Sequence, residues 1–169
     1  MRSLTCEQRE IAETANGKPN IDIVKHEERG AYYKENLKRL RNMHHSLCLF
    51  SRQPSIVPGL RFLFDDSGAL HGVFACNKFH QGYDGMAHGG VIAAIVDASM
   101  TQCLMGHGIV GYTTDLSIQY RKPVLIGRKA TLETSVKEVK MSVLYSMRCE
   151  IVQDRNLVVQ ATGRFFKVE

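Results

Sequence analysis

Residues 88–106, HGGVIAAIVDASMTQCLMG, constrain this chain more than any other stretch. Val91, Ile92, Ala93, Ala94, Ile95, Val96, Ala98, Met100, Cys103, Leu104 and Met105 leave no wide polar face at helical spacing, which predicts a helix wrapped by other structure. The run reaches the minimum length of a membrane span, but Asp97 in its middle and the many small residues argue for a buried core helix. An ionised side chain there is costly unless something pairs with it. Asp97 is therefore either a hydrogen-bonded structural carboxylate or a catalytic one.

The start of the helix bears on that choice. Gly89 and Gly90 leave their N–H groups uncovered by side chains, unpaired within the helix and at the positive end of its dipole, which suits an oxyanion. Gly90 and Asp97 are separated by roughly 10 Å of helix, too far to act on one carbonyl, since acyl transfer wants donor and base within about 3 Å of the reacting group. A two-fold dimer with antiparallel central helices would place the start of one helix beside the middle of the other. The expected site is an interface site.

The sequence HQGYDGMAHGG over residues 80–90, with Asp97 nine residues after His88, resembles the hotdog-fold thioesterases of the PaaI-like, acyl-CoA thioesterase branch. The resemblance implies an α+β hotdog fold over residues 48–168, in which a curved antiparallel sheet wraps a central apolar helix. It implies that Gly89 polarises the thioester carbonyl and that Asp97 is the nucleophile or general base. It also puts Thr113 beside the nucleophilic water, and gives His88 a positioning or substrate role in the loop. Gln81 and Gly82 stand where some relatives carry an amide that touches the substrate carbonyl, and Gly90, Arg121 and Lys122 complete the expected acyl-CoA contacts. Residues 48–60, CLFSRQPSIVPGL, also resemble a family stretch, with Ser51 in place of its second cysteine.

The remaining pattern is consistent with that fold. A helix is expected over residues 5–15, with Thr5 and Gln8 as a capping box, and a longer one over 27–43. Residues 1–46 form an N-terminal helical extension and residues 47–169 the thioesterase domain. Strands are expected at 60–64 and 69–76, joined by an Asp-Asp-Ser-Gly turn. After a Gly106-His107-Gly108 helix stop, four alternating strands follow, with short turns at 123–127, 140–141 and 154–156 that suit antiparallel neighbours. In the first of them Tyr112, Thr114, Leu116, Ile118 and Tyr120 share one face in strict period two, leaving Thr113 on the other.

Charge and composition narrow the partners. The net charge is +5, from 22 basic and 17 acidic side chains, with no like-charge run long enough for a nucleic-acid arm. A local basic excess over 121–140 fits either a solvated sheet face or a phosphate-rich ligand such as coenzyme A. The five cysteines are odd in number and widely spaced, as in a reduced intracellular protein, and the polar N-terminus lacks the apolar core of a signal peptide. A cytoplasmic homodimer or dimer of dimers without cofactor, metal, nucleic acid or membrane partner is expected. Adjacent His44 and His45 lack a second ligand pair at metal-binding spacing and read as a polar helix end. The α/β-hydrolase elbow, the phosphate loop and the dinucleotide fingerprint are absent from the sequence. The rival to hydrolysis is a hotdog protein that binds acyl-CoA without cleaving it.

Overall fold

The computed structural model describes residues 21–50 and 55–168, with side chains from residue 29 onward. The short helix expected over 5–15 lies outside them. Helix α1 (Ile21–His44) is followed by β1 (Arg61–Phe64), β2 (Leu70–Ala75), a 3-10 turn (Lys78–His80), α2 (Gly89–Gly106), β3 (Gly111–Tyr120), β4 (Lys129–Lys140), β5 (Leu144–Gln153) and β6 (Asn156–Lys167). The six strands form one antiparallel sheet in the order β1-β2-β4-β5-β6-β3.

The sheet packs its apolar face on α2. Ile92, Ile95, Val96, Met100, Cys103 and Leu104 are buried against Leu70, Phe74, Leu132, Met147, Cys149, Ile151, Val159 and Phe165. Helix α2 is long and apolar enough to cross a membrane by length and composition. Its apolar residues are instead covered by strands, which is the physical reason the helix has no continuous polar face. Of its polar side chains, buried Ser99 donates to Val96 O at 2.7 Å and shares a 2.9 Å hydrogen bond with Thr134. Buried Gln102 accepts from the Arg41 guanidinium.

Both turn signals around these elements are realised. Asp65 accepts the N–H groups of Ser67 and Ala69, and Gly68 takes φ +84°, closing the β1–β2 hairpin. At the end of α2 the His107 N–H reaches Cys103 O, and Gly108, at φ +79°, donates to Met105 O.

Two expectations about β3 fail. The turn at 123–127 was expected to join antiparallel neighbours, but β3 pairs with β6 at the far edge of the sheet, because β4 already lies between β2 and β5. The connection crosses the end of the sheet instead. Buried Gln153 holds it there, accepting from Leu125 N and donating to Leu125 O and Arg128 O. The strict alternation also breaks. The register against β6 slips between Thr113 and Asp115, so Thr114 is an extra residue and Thr113 joins Leu116 and Ile118 on the less exposed face.

Helix α1, longer at its start than the 27–43 span expected, packs on α2. Leu37 and Leu40 are buried with Met105, while Tyr33 stacks on Phe64 at 5.4 Å between ring centroids.

Candidate active site

The loop ahead of α2 is organised by its own histidines. His80 is buried, its Nδ1 accepting from Asn77 N–H and its Nε2 donating to Ile56 O at 2.6 Å, so its ring ties the loop to the 55–58 segment. The His80 carbonyl then accepts the His88 N–H at 2.7 Å. Gln81 Oε1 accepts the Gly85 N–H and its Nε2 contacts Asp84, so the Gln81 amide is used inside the loop. Gly82 lies against His88, where an added Cβ would sit 3.1 Å from the His88 Cα.

His88 is the N-cap of α2, and its Nδ1 accepts the Gly90 N–H at 2.9 Å. This corrects the expectation that both glycine amides are free, because the imidazole takes the Gly90 donor as a capping side chain does. Gly89 stands at the first helical position, where its N–H has no acceptor within the helix. Tyr120 Oη donates to Gly89 O at 2.8 Å, which fixes the end of β3 beside the start of the helix.

One turn after another along α2, one side of the helix carries Ala94, Asp97, Ala98 and Thr101. These line a cavity of about 630 Å³ whose other wall is residues 43–50, from the end of α1 and the turn beyond it. Asp97 is half-buried, and Thr113 Oγ1 donates to its Oδ1 at 2.5 Å. The β3 irregularity makes that bond, because it turns Thr113 toward the helix.

Asp97 and Thr113 are thus brought together, whereas Gly89 stays about 12 Å along the helix axis from Asp97 in the same chain. Arg121 and Lys122 follow β3 at the same end as Gly89. They bond to neutral amides, Arg121 to Gln119 and Gln160 and Lys122 to Asn156, and neither has a carboxylate partner among the described residues. Elsewhere in the basic stretch Arg128 and Lys140 are paired with Asp154 and Glu138.

The histidine pair at the end of α1 was missed from sequence as part of this cavity, which His44 also lines. His45 lines it with Asp97, although the adjacent histidines read as a polar helix end. Only the docking of α1 on α2, a contact between residues far apart in the chain, carries His45 there, and no local pattern announces it.

Residues 84–160 match the family described as Thioesterase superfamily. The chain is 31% identical over 90 residues to the acyl-coenzyme A thioesterase THEM4 of Rattus norvegicus, covering 53% of this chain and 39% of that protein. It therefore spans about two fifths of that relative's length. Among solved structures, the PaaI protein of E. coli from the phenylacetic acid degradation operon gives a TM-score of 0.70 at 14% identity, covering 83% of this chain and 96% of that one. A hypothetical thioesterase of Streptococcus pneumoniae, solved with coenzyme A, gives 0.61 at 20% identity over 66% and 90% of the two chains. That Streptococcus protein has also been solved with a threonine and an aspartate, sixteen positions apart, separately changed to alanine. At such identities the structural likeness is one of fold.

Proposed function

We propose that this chain, whose residues 84–160 match the thioesterase superfamily and which has the hotdog fold, is an acyl-CoA thioesterase that hydrolyses a thioester to free acid and coenzyme A. The observation that carries the proposal is the half-buried Asp97 carboxylate, held through one oxygen by Thr113 on the wall of the cavity. Its spacing from Thr113, sixteen residues, equals that of the aspartate and threonine replaced in the Streptococcus protein.

In this reading Oδ1 is anchored by the threonine hydroxyl, and Oδ2 takes the proton of an attacking water or itself attacks the carbonyl carbon. The Gly89 N–H, at the positive end of α2, stabilises the oxyanion. His88 is a positioning residue that caps the helix and so aims that amide. Because Gly89 and Asp97 of one chain lie too far apart, each site takes one group from each of two subunits related by a two-fold axis. Strand β3 ends the sheet, so its outer edge offers a surface for pairing with a second copy.

Arg121 and Lys122, beside the start of the helix, suit the phosphates of coenzyme A. The coenzyme A held by the Streptococcus relative supports that substrate class. A reducing, cytoplasmic setting belongs to the same proposal, on the support of four free cysteines among the described residues, three of them buried in the core; fractionation of cells expressing the chain tests it.

The test of function is release of free thiol from a panel of acyl-CoA esters by the wild type, Asp97→Ala and Asp97→Asn. Turnover by the wild type and a loss of about 100-fold or more in kcat for both variants support the hydrolase. Binding of the esters without thiol release would leave an acyl-CoA binding protein in its place.

A further inference from the structure

His45 has no part in the reaction as drawn so far. It follows α1 directly, and its backbone is held on both sides, the N–H donating to Arg41 O at 2.9 Å and the carbonyl accepting from Cys48 N–H at 3.1 Å. Its ring shares the cavity with Asp97, the one carboxylate among the lining residues. Nδ1 is buried and has no hydrogen-bond partner among the described residues. A buried ring nitrogen left unpaired is uncommon in a folded chain, and the side chain that carries it lines the proposed reaction chamber.

We propose that His45 is the proton relay of the thioesterase site, carrying the proton that Asp97 removes from water to the departing thiolate. The inference rests on the hydrolase reading given above. Water adds its oxygen to the carbonyl carbon and loses one proton to Asp97. The C–S bond then breaks, and its electron pair goes to sulfur. The proton passes from the carboxyl group to the His45 ring across the cavity, directly or through a bridging water, and from the ring to sulfur. The other proton of water stays on the acid product. Each transfer runs to a stronger base, because ordinary carboxyl, imidazole and thiol groups have pKa values of about 3.9, 6.5 and 8.5.

The charges around the ring suit a base that is empty when the cycle starts. Burial, then His44 and Arg41 on α1, hold the His45 ring below the ordinary histidine value, and Asp97 on α2 opposes them. The ring is neutral at physiological pH and free to take a proton. Proton transfer from Asp97 restores the facing carboxylate, which stabilises the imidazolium until sulfur accepts its proton.

The experiment separates protonation of the leaving group from the rest of the reaction. Two esters of one acyl group are compared, an N-acetylcysteamine ester and a 4-nitrothiophenyl ester, whose thiolate leaves without a proton. His45→Gln is expected to lose about 100-fold in kcat on the first ester and less than about 3-fold on the second, whereas Asp97→Asn loses activity on both. Equal losses of His45→Gln on the two esters, or no loss on the first, would overturn the relay while leaving the hydrolase standing. A wild type that releases no thiol from any ester removes the hydrolase and the relay together. A second readout needs no turnover: followed by NMR, the His45 ring titrates at lower pH in Asp97→Asn than in the wild type, and an unchanged titration also overturns the relay.

Discussion

Thr113 Oγ1 donates a 2.5 Å hydrogen bond to Asp97 Oδ1, joining the first turns of an edge strand to the middle of the central helix. A half-buried carboxylate on an apolar helix needs such a partner, and the bond also leaves the second oxygen for chemistry. Thr113→Val keeps the shape and removes the donor. It is expected to lower kcat on an acyl-CoA substrate by about 10- to 100-fold with KM little changed, and Thr113→Ser to restore most of the loss. Steady-state kinetics of the two variants check it.

Gly89 offers a cleaner test of the oxyanion donor than a glycine-to-alanine change. Proline is well accommodated at the first position of a helix, and His88 before it has the extended backbone, φ −63° and ψ 131°, that a residue preceding proline prefers. Gly89→Pro therefore removes the N–H while sparing the helix. A loss of about 100- to 1000-fold in kcat is expected, with an unchanged far-ultraviolet circular dichroism spectrum.

Asp65 governs the β1–β2 hairpin. Burial raises its pKa, but the hydrogen bonds from Ser67, His71 and Ala69 outweigh that effect and bring it from 3.8 to about 2. A carboxylate whose pKa is depressed by folding stabilises the protein above its unfolded value and ceases to do so as pH falls through the folded one. Asp65→Ala is expected to cost about 1 kcal/mol at pH 7. The gap between variant and wild type should close between about pH 4 and pH 2, as urea midpoints across that range will report.

Leu40 carries the docking of α1. It is 4% exposed and packs with Leu37 against Met105 at the end of α2. Leu40→Ala is expected to destabilise the chain by about 2–5 kcal/mol, read in the urea midpoint. Because residues 43–50 wall the Asp97 cavity, the same variant should raise KM for long acyl chains more than for acetyl-CoA.

Much of this architecture was legible because it is written in local periodicity. The unbroken apolar surface of residues 91–105 marks a helix that must be wrapped, and alternation in β4, β5 and β6 marks a sheet with one apolar face. The Gly68 and Gly108 turns were legible for a similar reason, since each needs a left-handed backbone that glycine adopts without strain. Asp97 stood out as a single charge in an apolar run.

Local pattern does not report which distant surfaces meet, and that is where the structure decided. An extra residue at Thr114 reverses the face of Thr113, and only pairing with β6 reveals it. The imidazole of His88 consumes the Gly90 amide, a choice of rotamer that the HGG triplet leaves open. The place of β3 at the sheet edge depends on β4 already being flanked by β2 and β5. His45 lines the cavity of Asp97 only because α1 folds back onto α2. Secondary structure follows from the spacing of apolar residues along the chain, whereas the site follows from long-range packing, which depends on the shape of every element at once.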